Sequence, residues 1–163
     1  MIGATMGNGG VKVILVRHGE ATSTMDNAER PLTVVGRRHA EEAAERLARC
    51  GYEIEEIRHS GKLRARQTAK VIGGRLGVPA NRMRKVRGLQ PLDDPSNMAV
   101  EVEAENRSLM LVGHLPFLSR FASALLTGDP DRLSFRFADA GVVVLGRSRG
   151  RWQVESVAGH DTP

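Results

Sequence analysis

The chain alternates continuous apolar runs with segments in which apolar residues recur at helical spacing. Val11-Lys12-Val13-Ile14-Leu15-Val16 is rich in β-branched residues and ends at a polar, glycine-containing turn, which predicts a buried strand. Beyond a polar loop and Pro31-Leu32-Thr33, Ala40, Ala43, Ala44 and Leu47 line one face of a helix running to about Cys50. Thr33 is placed to cap it and Gly51 to stop it. Ile54 to His59 reads as a second strand. Ala65, Ala69, Ile72 and Leu76 then predict a helix from Leu63 to Leu76, with Gly77 and Pro79 beyond its end.

The second half repeats the alternation. Met83 to Val86 is a short strand, and Gly88 to Asn97, with Pro91 and Pro95, is a loop leading into a helix that ends near Asn106. Ser108 to Val112 is a fully apolar strand that runs into Gly113-His114-Leu115-Pro116. Pro116 suits the first position of a helix on which Phe117, Phe121, Ala124 and Leu125 share a face. Leu133 to Phe137, Gly141 to Leu145 and Trp152 to Val157 read as strands, the last two as an antiparallel pair joined around Arg147 to Arg151. The expected fold is therefore an α/β three-layer sandwich: a mainly parallel central sheet, helices on both faces and an antiparallel C-terminal strand pair. Residues 11–163 are expected to form a single domain, after a flexible leader over residues 1–10 that carries four glycines.

Composition narrows this picture. At 163 residues, 40% apolar and 26% charged, the chain has the make-up of a globular domain with a real core. No apolar run approaches the roughly 18 residues of a membrane-spanning helix, and the first ten residues lack the layout of a signal peptide. A lone Cys50 excludes an internal disulfide and a cysteine metal site. A soluble, cytoplasmic protein with no membrane partner is the expectation.

Charge is unevenly spread. Between Arg58 and Arg87 stand ten Lys or Arg residues and no Asp or Glu, while acids gather at Glu41 to Glu56 and at Asp93 to Glu105. Such a block suits a phosphate group or an acidic protein surface, although solvated helix faces account for many such runs. None of the six aromatics lies inside the block, so a base-stacking platform has little support and nucleic acid is not an expected partner.

Sites in open α/β folds gather at the carboxyl ends of the strands, which selects the loops after Val16, His59 and Val112. They begin with Arg17 and His18, with Ser60 and Arg64, and with His114. Arginine's planar fork matches phosphate oxygens, and a neutral imidazole nitrogen can attack phosphorus and carry the phosphoryl group. A second imidazole, if protonated, would stabilise charge on the equatorial oxygens. A helix starting near His114 would add free backbone N–H groups. No metal or cofactor is expected: neither His-x-x-His nor His-x-x-x-His spacing occurs, and flanking arginines repel a cation.

Leu15-Val16-Arg17-His18-Gly19-Glu20-Ala21 resembles the signature of the histidine phosphatase superfamily, the phosphoglycerate-mutase-like enzymes. The resemblance continues through Arg30-Pro31-Leu32-Thr33 with Gly36, through Ser60 with Leu63-Arg64-Ala65-Arg66-Gln67-Thr68-Ala69, and ends at Val112-Gly113-His114-Leu115-Pro116. Within the superfamily the chain looks most like the SixA-type phosphohistidine phosphatases. The resemblance implies that His18 is the nucleophile and that Arg17, Arg64 and His114 form the phosphate pocket, with Gly19 and Ser60 at the substrate. Glu20 either orients an imidazole or faces solvent, Arg30 is a phosphate-side residue or a surface charge, and His59 is near the site or buried at its strand end. Thr33 reads as a cap, Arg66, His39 and His160 as solvated, and Trp152 and Phe135 as core.

Two features depart from the family pattern. Gly61 follows Ser60 where a proline is common. Larger members look to a glutamate in the loop after the third strand as proton donor, and between Arg87 and Glu101 this chain has only Asp93 and Asp94 as candidates. An alkoxide leaving group needs a proton, whereas imidazole leaves readily from a phosphoramidate once protonated and can bring that proton from solvent. The leading expectation is thus a phosphatase acting on a phosphohistidine protein, releasing inorganic phosphate. The alternatives are a small-molecule phosphomonoesterase on sugar or nucleotide-type phosphates, and a non-catalytic phosphate-binding module.

Overall fold

The computed structural model describes residues 10–160. The leader expected over residues 1–10 lies almost wholly outside them. In chain order the elements are β1 (Lys12–Arg17), α1 (Val34–Cys50), β2 (Glu56–His59), α2 (Leu63–Leu76), β3 (Met83–Lys85), α3 (Pro95–Glu103), β4 (Leu109–Gly113), α4 (Phe117–Thr127), β5 (Val142–Ser148) and β6 (Arg151–Ala158). One six-stranded sheet has the order β3-β2-β4-β1-β5-β6. Its first four strands are parallel; β5 runs antiparallel to β1, and β6 to β5.

The apolar strands are continuous because both faces of the sheet are covered. Val13 and Leu15 point to one side, where Leu109, Leu111, Met98, Val102, Phe117 and Phe121 pack from β4, α3 and α4. Ile14 and Val16 point to the other, against Ala43, Ala44, Leu47, Ala65, Ala69 and Ile72 of α1 and α2. Small residues on α1 and α2 let those helices lie close to the strands and to each other. Thr33 caps α1 by accepting the Gly36 N–H at 2.9 Å, and Gly51, at φ 72°, closes it in the left-handed conformation glycine tolerates.

The structure revises some boundaries. Residues 133–137 form no strand. The Leu133 and Phe135 N–H groups donate to the hydroxyls of Ser123 and Ser119 on α4, so the segment is an extended strap over that helix and not a sheet member. The third helix stops at Glu103, short of Asn106, and Pro116 is the N-cap of α4, one position before its first helical residue. Three of the ten cations of the basic block are held in ion pairs away from the histidines. Arg58 pairs with Glu56, Glu101 and Glu105, Arg75 with Glu45, and Arg84 with Glu56. Among the described residues no helix is long and apolar enough to cross a membrane.

Candidate active site

The register places β1 and β4 side by side, with Arg17 opposite Gly113, so the residues that follow emerge together at the carboxyl edge. The His18 N–H donates to the Gly113 carbonyl at 3.1 Å, tying the two loops. The rings of His18 and His114 lie 5.0 Å apart between centroids, tilted by 51°. A main-chain link therefore sets the spacing of two imidazoles that stand 96 residues apart in sequence.

The His18 ring is held in one tautomer by its neighbour. Nδ1–H of His18 donates to the Gly19 carbonyl at 2.7 Å, which leaves the lone pair on Nε2. Among the described residues that atom accepts from the Arg64 Nε–H, at a loose 3.4 Å. On the other ring, Nε2 of His114 lies 2.6 Å from the Ser60 hydroxyl, whose Oγ also accepts the Lys62 N–H at 3.3 Å. Nδ1 of His114 is buried and has no hydrogen-bond partner among the described residues. Arg17 Nε is likewise buried and unpaired, while its Nη1 donates to the Phe137 carbonyl at 2.8 Å and lies 3.5 Å from Asp139.

Both histidines are kept uncharged in this surrounding. Burial, opposed by the Gly19 hydrogen bond and reinforced by Arg64 and Arg17, pushes His18 down to about 4. Burial, with His18, Arg64 and Lys62 beside it, pushes His114 down to about 3. With His114 lowered in this way, the charge-stabilising role considered for a protonated second imidazole requires a bound phosphoryl anion to raise its pKa again. Nor is the α4 terminus simply available: the Leu118 N–H is taken by the His114 carbonyl.

The structure brings Arg17, His18, Gly19, Ser60, Arg64 and His114 to one place. Arg30 belongs to the same neighbourhood, because its charge, after burial, lowers the pKa of Arg64; its backbone sits at φ 52° and its Nε donates to the Thr22 carbonyl. Glu20 is exposed and accepts from the Thr33 hydroxyl at 2.9 Å, so it orients no imidazole. His59 is buried and accepts the Gly61 N–H on Nδ1. His39 and His160, read as independently solvated, are stacked on each other with centroids 3.9 Å apart. Asp93 and Asp94 are both engaged in the loop: Asp93 accepts the Gln90 N–H, and Asp94, exposed, caps α3 through the Ser96 N–H, a bond that lowers its pKa.

Four residues without a role in the motif reading support the site. Thr68 accepts the Gly19 N–H at 3.0 Å and donates to the Arg64 carbonyl at 2.8 Å, joining the nucleophile loop to α2. Gln67 accepts the Leu32 N–H, and Gln90 donates to the Ser60 carbonyl, each at 2.8 Å. Asp139 reaches Arg17 from a tight turn in which buried Ala140 holds φ 57° and its N–H donates to the His18 carbonyl. The only sequence signal for the first two was their place inside the Arg64 block; Gln90 and Asp139 had none. Among the described residues no cluster of His, Cys, Asp or Glu is arranged to hold a metal.

This cleft of two imidazoles and two guanidinium groups, on this sheet order, defines a phosphatase class, and the chain belongs to the histidine phosphatase superfamily (branch 1), whose model matches residues 13–90. It is a phosphatase, a hydrolase, and its relatives include phosphohistidine and phosphoserine phosphatases. An uncharacterized protein of Picosynechococcus sp. is 31% identical over 153 residues, covering 90% of this chain and 91% of its own. The phosphohistidine phosphatase SixA of Escherichia coli (strain K12) is 26% identical over 151 residues, covering 88% and 93%. A protein histidine phosphatase SixA solved with tungstate shares the fold at TM-score 0.81 and 23% identity, covering 91% of this chain and 97% of that one. A phosphoserine phosphatase of Entamoeba histolytica shares it at TM-score 0.72 and 18% identity, covering 93% and 98%.

Proposed function

We propose that the protein removes phosphoryl groups from phosphohistidine through a covalent intermediate on His18. The observation that carries the assignment of the nucleophile is the tautomer: the Gly19 carbonyl takes Nδ1–H and leaves the Nε2 lone pair facing the cleft. Arg17, next to His18 in the chain, and Arg64, whose Nε–H approaches the His18 ring, supply donors for the phosphoryl oxygens, with the His114 ring 5.0 Å from that of His18. In the first step Nε2 of His18 forms a bond to phosphorus as the P–N bond to the substrate imidazole breaks, and that imidazole leaves with a proton. In the second step water attacks phosphorus, the bond to Nε2 breaks, and phosphate is released with the proton balance returned to solvent.

The substrate follows from the acid. Both loop carboxylates that could protonate an alkoxide are hydrogen-bonded to backbone N–H groups, and Asp94 is held ionised by its bond. An imidazole leaving group makes the smaller demand on them. The match to the SixA of Escherichia coli points the same way. A small-molecule phosphomonoesterase is the second reading. It is favoured by Asp93, half-buried and joined through Gln90 to the Ser60 carbonyl, and by the fold shared with the phosphoserine phosphatase.

A substrate panel tests the choice. Turnover of a phosphohistidine peptide is expected to exceed that of sugar and nucleotide phosphates, and His18→Ala is expected to abolish it. The trapped phosphoenzyme should be stable in base and labile in acid. An acid-stable label, or preferential hydrolysis of an ester, overturns the reading.

A further inference from the structure

The basic block divides in two once the chain is folded. Arg58 is neutralised by Glu56 on its own strand and by Glu101 and Glu105, Arg75 by Glu45 of α1 and Arg84 by Glu56 of β2. Lys62, Arg66, Lys85 and Arg87 have no ion pair among the described residues, and these four stand at or just beyond the carboxyl ends of β2 and β3. Lys85 lies across Gly61, where a Cβ would meet its methylenes; Lys62 is close enough to depress His114, and Arg66 and Lys85 to depress His59. The acids nearest the histidines are occupied, Asp139 with Arg17, Glu20 with Thr33 and Asp93 with Gln90. Lys62, Arg66, Lys85 and Arg87 thus extend from the two histidines toward the β3 edge of the sheet.

Reach decides what the patch can bind. Strand spacing of about 4.8 Å puts the end of β3 about 14 Å from the end of β1, where His18 stands. A single small phosphate ester does not span that distance, whereas a protein face does. In the loop that follows β3, Leu92 stands 85% exposed, an apolar side chain of the kind a protein interface buries. No Phe, Tyr or Trp lies between Arg58 and Arg87, so the patch offers no stacking surface for bases.

We infer that Lys62, Arg66, Lys85, Arg87 and Leu92 form a docking surface for the acidic flank of the phosphorylated protein, presenting its phosphohistidine to His18. The inference rests on the phosphohistidine reading above and adds the side from which the substrate approaches. Its electrostatics act mainly on encounter, so the effect is carried by kcat/KM and is screened by salt.

Two synthetic peptides with one phosphohistidine each, flanked by four glutamates or by four lysines, test it beside free phosphohistidine. The wild-type chain should turn over the acidic peptide with a kcat/KM about tenfold or more above the basic one at low salt. Lys85→Glu combined with Arg87→Glu should abolish or invert that preference while leaving free phosphohistidine turnover, the control for intact fold and cleft, unchanged. Equal turnover of both peptides by the wild type overturns the docking surface but not the phosphohistidine reading. Failure on all three phosphohistidine probes, with hydrolysis of an aryl ester, overturns both. Inhibition by a single-stranded oligonucleotide that disappears in the double variant reassigns the patch to nucleic acid and overturns the inference.

Discussion

The Ser60 hydroxyl lies 2.6 Å from Nε2 of His114, with both side chains buried and 54 positions apart in sequence. Through this bond β2 and β4, adjacent in the sheet, hold the His114 ring in one orientation beside His18.

Ser60→Ala removes that anchor from the His114 ring. Steady-state kinetics on an aryl phosphate should show kcat reduced by about 100-fold, the order of effect of a misaligned catalytic group, with KM little changed. A variant with wild-type kcat would show that His114 needs no such partner.

Arg64→Ala should act on binding and rate together, because its guanidinium approaches the His18 nitrogen and is available to the phosphoryl oxygens. Loss of a charged hydrogen-bond donor of this kind weakens binding by about 1.5–3 kcal/mol. Titration with inorganic phosphate should show the weaker affinity alongside a lower kcat. Unaltered phosphate affinity would place Arg64 outside the pocket.

Thr68→Val tests the tie between the nucleophile loop and α2. The Gly19 N–H would lose its acceptor, and a buried unpaired amide costs about 1–3 kcal/mol. Urea unfolding should show this loss, and activity should fall as well, since Gly19 also accepts the His18 Nδ1–H. A variant as stable and active as wild type would mean that the loop is held by its other bonds.

Stability should depend on pH through the two histidines. In the unfolded chain each titrates near 6.5, whereas in the folded protein His18 is held down to about 4 and His114 to about 3. Both are neutral in both states above pH 6.5, and their contribution is then fully present. As pH falls from 6.5 toward 4, the unfolded chain takes up protons that the folded one excludes, and stability is lost. His59, lowered by burial with Arg66 and Lys85, adds to the same slope. Tm should therefore be level from pH 8 to 7 and decline from pH 6.5 to 5, above the range in which carboxylates titrate. His114→Gln should make the decline shallower; a flat wild-type profile would contradict the burial of uncharged rings.

Elements whose signals are local were legible in the chain alone. The α1 cap at Thr33, its stop at Gly51 and the whole of α2 from Leu63 to Leu76 follow from neighbouring residues and helical spacing, and they stand where the pattern put them. The strands that carry Arg17 and His114 were legible because a doubly covered sheet demands continuous apolar runs, and the motif blocks around them were enough for the class of chemistry. Residues 133–137 show the limit: a β-prone segment becomes a strap when serines of α4 take its N–H groups before a strand can. The same holds in the cleft. That Ser60 meets His114, that Thr68 supports Gly19, and that Lys85 stays unpaired while Arg84 finds Glu56 all depend on which strand ends are neighbours. Hydrogen bonds and ion pairs between distant segments are properties of position in space, and only the assembled sheet assigns those positions.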